Sequence, residues 1–139
     1  MELPKISWGT PSANIEDMVG KTFDIVANVN GNDDMLLFEN EEGQYVFNHH
    51  QDCCETVGIE EVIGDLNDLM GSPLLRAEEV SSDDAPAPHD YDLSWGNSYT
   101  WTFYKFATIK GEVVVRWLGE SNGYYSESVD LNFIPKGVD

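Results

Sequence analysis

Two of the three histidines, both cysteines and two carboxylates of this 139-residue chain fall within eight consecutive positions, 48–55 (NHHQDCCE). His49, His50, Asp52, Cys53 and Cys54 all carry side chains that can ligate a zinc-like ion. If the stretch is extended, alternation places His49, Cys53 and Glu55 on one side and His50, Asp52 and Cys54 on the other. Either trio would offer three ligands. Closed zinc sites, however, draw ligand pairs from two separate stretches, and the only other histidine is the isolated His89. The same residues contain a thiol and an imidazole, but immediate sequence neighbours seldom have the geometry that activates a thiolate. The plainer reading is a pair of small, reduced cysteines between locally bonded histidines. The expectation is therefore no cofactor, with zinc at this cluster as the alternative.

A second constellation lies further along. Trp101, Tyr104, Arg116 and Tyr125 combine aromatic faces, on which a base can stack, with a cation suited to a phosphate. They would line a pocket for a nucleotide-like signalling molecule, unless they simply build a sheet core. Phosphate-cradling glycine motifs, a nucleophile elbow and a calcium-loop spacing are all absent from the sequence. Enzymatic function is accordingly the weaker expectation, and no catalytic residue stands out.

Charge is the strongest signal. The chain has 26 Asp+Glu against 7 Lys+Arg, a net charge of −19. Residues 33–92 hold seventeen acids and only Arg76, so −16 of the −19 falls on that span. Seven cations cannot neutralise many phosphates, so direct nucleic-acid binding is not expected. An acidic surface instead suits a basic partner, which it would attract quickly and with strong salt dependence. Sixteen charges correspond to roughly 27 Å of duplex at one per ~1.7 Å. A chain of this length has a radius of gyration near ~14 Å, so a nucleic-acid-mimicking stripe would fit along one face.

Those residues need elements to position them. A composition with 41% hydrophobic and 12% aromatic residues supports a core, and the length fits one domain, 1–139. A short helix is expected at about 12–19. Strands are expected at 22–30, 35–38 and 44–50 in meander order, near 74–80, at 99–109 and 112–118, and from about 124 to 134. Ile59, Val62, Ile63, Leu66, Leu69 and Met70 recur at helical spacing, which predicts an amphipathic helix over 59–70. Its opposite face would present Glu60, Glu61, Asp65 and Asp68, and with Glu78 and Glu79 these are the expected partner-binding acids. The stretch 81–92 (SSDDAPAPHDYD) has no periodicity and reads as a flexible acidic loop. The predicted fold is α+β: a mainly antiparallel sheet of about six strands covered by one main helix. No run of 18 apolar residues occurs, and MELPKISWGT lacks a basic stretch followed by an apolar one, so neither a membrane span nor secretion is expected. Oligomeric state stays open, although the last strand would offer a free sheet edge.

Three segments, HHQDCCE (49–55), GDLNDLMGSP (64–73) and SYTWTFYKFATIKG with RWLGESNGYYSE (98–127), resemble a family of small uncharacterised bacteriophage proteins. The resemblance implies a phage origin and expression in the cytoplasm of a bacterial host. It carries no catalytic residue with it. Together with the charge, it leads to the expectation of an accessory, anti-defence type protein that binds and blocks a basic host protein, possibly a nucleic-acid-binding one.

Overall fold

The computed structural model describes residues 11–29, 34–49, 55–82, 98–121 and 126–136. Eight strands run through them: β1 (Ile25–Val29), β2 (Met35–Asn40), β3 (Gly43–Asn48), β4 (Thr56–Ile63), β5 (Arg76–Ser82), β6 (Ser98–Thr108), β7 (Gly111–Ser121) and β8 (Asp130–Pro135). They form two four-stranded sheets, ordered β1-β2-β3-β8 and β4-β7-β6-β5, with antiparallel pairing throughout. The chain completes three strands of the first sheet, builds the whole second sheet, and returns β8 to the first.

Alternation in the strands explains how the sheets meet. Leu36 and Phe38 on β2 and Tyr45 and Phe47 on β3 point inward from the first sheet. Tyr104 and Phe106 on β6 and Val113, Val115 and Trp117 on β7 point inward from the second. The rings interlock across the gap, with centroids 4.8 Å apart for Phe38–Phe106 and 4.7 Å for Phe47–Tyr104. This is a β-sandwich whose centre is an aromatic seam.

The predicted helix over 59–70 is corrected to β4 followed by a 3-10 turn, Leu66–Leu69. The predicted α+β class is corrected with it to an all-β sandwich, and no α-helix occurs among the described residues. The reason is a β-bulge. Ile59 pairs with Trp117 and Glu61 with Arg116, leaving Glu60 as the extra residue. The bulge resets the strand's alternation, so Val57, Ile59 and Val62 all pack on the core. An inward spacing of three residues therefore arises inside a strand and imitates one helical turn. Leu66, Leu69 and Met70 also reach the core, but from the 3-10 turn, which Asp65 caps by accepting the Asn67 N–H at 2.9 Å. The helix expected at 12–19 is likewise a 3-10 turn, Ile15–Met18, with Met18 buried.

Two tight hairpins close one end of the sandwich. Asn40 Oδ1 accepts the Glu42 and Gly43 N–H groups at 2.9 and 3.3 Å, shaping the β2–β3 turn. Gly43 has φ +150°, and a Cβ there would collide with the Ile134 carbonyl of β8. Ile109 and Lys110 alone join β6 to β7.

The opposite end gathers the remaining connections. Register places the end of β1, the start of β2, the end of β3 and the start of β8 together. It does the same for the start of β4, the end of β5, the start of β6 and the end of β7. The two sets belong to one end, because Asp34, just before β2, accepts the Ile59 N–H of β4 at 2.8 Å. Four connections thus leave from that end, and the sequences 30–33, 50–54, 83–97 and 122–125 lie within them.

Cutting the aromatic seam should be costly. Phe47→Ala removes a fully buried ring that touches Phe38, Tyr104 and Phe106. Urea unfolding should show a loss of about 3–5 kcal/mol.

Candidate functional site

The inner face of the second sheet changes character along its length. Near the tight hairpins it is apolar, with Phe106 and Val113. Toward the loop-bearing end it becomes hydroxylic, carrying Thr102, Thr100 and Ser98 on β6, Ser121 on β7 and Ser81 on β5. Tyr104 stands at the changeover. Burial, and then the charges of Glu79 and Asp130, push its phenol above the usual range, and its hydroxyl bonds Glu79. Glu79 is itself raised by burial, against hydrogen bonds from Ser81 and Tyr104 that favour its charged form.

The segment 126–129 crosses this polar mouth and ties the two sheets together. Glu127 lowers its carboxylate into the hydroxyl row, accepting Thr100 Oγ1 at 2.8 Å and close bonds from the Ser98 and Ser121 hydroxyls. Its backbone lies so near β7 that a Cβ at position 119 would strike the Glu127 carbonyl, which is why glycine stands there. On the other side the Ser128 carbonyl accepts His49 Nδ1–H at 2.8 Å, which fixes the proton on that nitrogen. A cleft of about 400 Å³ remains, lined by Ser81, Thr100, Thr102, Ser126, Glu127 and Ser128.

The expected metal cluster is described only at its margins. His49 and Glu55 are both buried, with His49 Nε2 3.7 Å from Glu55 Oε2. His50, Asp52, Cys53 and Cys54 lie outside the described residues. Among the described residues no group of three His, Cys, Asp or Glu side chains is arranged to hold a metal ion.

The expected nucleotide pocket does not converge. Trp101 and Arg116 meet on the outer face of the second sheet, with the guanidinium 5.1 Å from the ring centroid. Tyr104 points the other way, into the core, and Tyr125 lies outside the described residues.

The six expected partner-binding acids are dispersed. Glu61 and Glu78 share the outer face of the second sheet, but Glu61 pairs with Arg116 at 2.9 Å and Glu78 with Arg76 at 2.9 Å. The Arg76 hydrogen bond holds Glu78 below the ordinary carboxylate range. Glu79 turns inward, and Asp65 and Asp68 sit at the hairpin end. Glu60, thrown out by the bulge, joins a different set. Burial, followed by the nearby charges of Glu60 and Glu127, raises the Glu120 carboxyl. The acidic loop expected at 81–92 lies outside the described residues from 83 onward.

Charge is nevertheless sorted by position. At the loop-bearing end the described residues Asp34, Glu55, Glu120, Glu127 and Asp130 are acids, and no Lys or Arg of the described residues lies there. The hairpin end is mixed: Lys21, Arg76, Lys110 and Lys136 stand among Glu41, Glu42, Asp65, Asp68 and Glu112. The residues 30–33, 50–54, 83–97 and 122–125 add Asp33, Asp52, Asp83, Asp84, Asp90 and Asp92 by sequence, again without a Lys or Arg.

The hydroxyl row, Glu127 and the 126–129 tie escape the sequence reading. The signal available was the two-residue spacing of Ser98, Thr100 and Thr102, hydroxyls on the very face that later carries Tyr104 and Phe106.

A raised carboxyl stabilises the fold below its unfolded pKa, and the contribution is lost as pH rises through the folded value. Thermal melts should therefore show a gain in Tm as pH falls from 7 toward the carboxylate range. Glu120→Gln should raise Tm at pH 7 and shrink that gain.

Residues 16–131 match the family model of a domain of unknown function, DUF7448. None of the curated proteins and none of the solved structures compared with the chain matches it. No helix among the described residues is long and apolar enough to cross a membrane.

Proposed function

The chain belongs to the DUF7448 family, and from its own geometry we propose that it is a non-enzymatic binding protein whose loop-bearing end captures a basic partner. One observation carries the reading: the described residues at that end carry acids without a Lys or Arg, whereas the opposite end mixes both signs. Strand acids on the sheet face are neutralised by cations beside them, so the acidic surface expected on a helix face moves to the end of the sandwich. The four connecting segments extend the same sign by sequence.

A single-sign surface of this kind raises association rates with an opposite charge by about 10–10³-fold and makes them fall steeply with salt. The resemblance of three segments to phage proteins supports a phage-encoded accessory role in a bacterial cytoplasm. A nucleic-acid-binding host protein is then the class of target whose basic cleft fits. Blocking by occupancy needs no catalytic group on this chain.

The test uses immobilised full-length chain against purified nucleic-acid-binding proteins of a bacterial host. At least one should bind with an association rate that falls steeply with salt, and duplex DNA should compete. The combined Asp83→Asn, Asp84→Asn, Asp90→Asn and Asp92→Asn variant should associate at least severalfold more slowly. Binding that ignores both salt and these substitutions, or no binding across the set, overturns the proposal.

A further inference from the structure

The cleft at the loop-bearing end has a chemistry narrower than acidity in general. Its lining contains five hydroxyl side chains and one carboxylate, and no aromatic or aliphatic residue. Thr102, almost wholly buried, belongs to that lining, and Ser126 and Ser128 stand in mutual contact with their Oγ atoms 2.8 Å apart. A sugar ring would want an aromatic face to stack on, and a divalent cation would want more than one charged oxygen. Neither is offered by these six side chains.

Glu127 decides what is offered. Three hydroxyl donors fix its carboxylate in place. A carboxylate has about four acceptor positions, so three donors leave room for another. Among the described residues no Lys, Arg or His forms an ion pair with it. The hydroxyls around the cleft keep acceptor lone pairs of their own even when they donate. The result is a small space rich in acceptors around one immobilised negative charge that no Lys, Arg or His among the described residues pairs. At about 400 Å³ it has room to admit a long side chain. The group that answers several spread acceptors and one charge is a guanidinium, which is planar, has five N–H donors and is more weakly hydrated than an ammonium.

We propose that this cleft is a subsite for an arginine side chain of the basic partner, with Glu127 receiving the guanidinium and Ser126 and Ser128 accepting its outer N–H groups. The inference rests on the basic-partner reading and adds to it a specific point of recognition inside the general field. A charge-assisted contact of this kind is position-specific, unlike the loop charges, which act at a distance.

The probe is a short arginine-containing peptide, titrated into the full chain with backbone amide shifts followed by NMR. Its neutral citrulline version and its lysine version serve as controls. Saturable shifts at Thr100 and at 126–128 are expected with arginine, at least tenfold weaker binding with lysine, and none with citrulline. Glu127→Gln should weaken the arginine response at least tenfold while keeping a dispersed spectrum. Should that variant lose its fold, the Ser126→Ala/Ser128→Ala pair, which leaves the Glu127 hydrogen bonds in place, should weaken it severalfold instead. The four-Asp variant should slow capture of a basic protein yet keep the cleft shifts. If arginine peptides perturb only the loop positions, or if the cleft variants respond as the parent does, the subsite is wrong and the basic-partner reading stands. If no basic peptide or protein perturbs any position, both are wrong.

Discussion

The rest of this structure depends on the contact between Phe38 and Phe47 on one sheet and Tyr104 and Phe106 on the other. Neither four-stranded sheet has a hydrophobic face that it can leave in water, and the rings supply most of the buried volume at the middle of the sandwich. Because they interlock in tilted and edge-on pairs, they fix how the sheets slide against each other as well as how far apart they sit. That single alignment brings the end of β3 beside the start of β4, and the start of β6 beside the segment leading into β8. Everything at the loop-bearing end inherits its placement from those rings.

The apolar seam also sets where polarity begins. Tyr104 has its ring in the core and its hydroxyl at the boundary, facing Glu79. Beyond it the sheet interior is made of hydroxyls, which would be expensive to bury without partners. Glu127 satisfies three of them at once and in doing so draws the 126–129 segment across the mouth. His49 bonds the same segment from the other sheet. The mouth is thus closed by hydrogen bonds where the centre is closed by packing. One consequence is a negative charge held in place with no cation beside it among the described residues, a state that a purely structural clamp made from Gln or Asn would avoid.

Much of the strand content is legible, because alternation over 99–109 and 112–118 and the turn residues around 41–43 follow directly from the pleat. The helix predicted over 59–70 does not form, for a definite reason. A bulge at Glu60 and a 3-10 turn at Leu66–Leu69 reproduce the three- and four-residue spacings of a helical stripe. Periodicity records which residues face inward and is blind to the backbone that turns them there. The same blindness affected the sites. Trp101 and Tyr104 are three apart and were grouped as one pocket, yet an odd separation in a regular strand sends them to opposite faces. The partner-binding acids were chosen on a helix that does not form, so their shared face went with it. Glu127 was passed over since nothing local marks it: its three donors come from positions 98, 100 and 121, brought together only by the β6–β7 pairing.

The fate of the acids shows why net charge had to be mapped in three dimensions. On the outer face of the second sheet, strand pairing brings Arg116 to Glu61, while Arg76 meets Glu78 two residues along its own strand and reaches Glu112 beyond β6. Exposed pairs of this sort add little stability, but they cancel the field that their carboxylates would project. Strand pairing can therefore silence acids in the middle of a sheet. At a sandwich end no strand lies alongside to supply a cation, so charge placed there keeps its reach out to about a Debye length, ~8 Å at physiological salt. Of the seven cations, four stand at the hairpin end and two more on the sheet face, so among the described residues the far end receives no Lys or Arg. Among the acids of 33–92 the fold thus quiets Glu61 and Glu78 through their arginines, and the charge left after such pairing, rather than the raw −16, is what bears on the proposed basic partner.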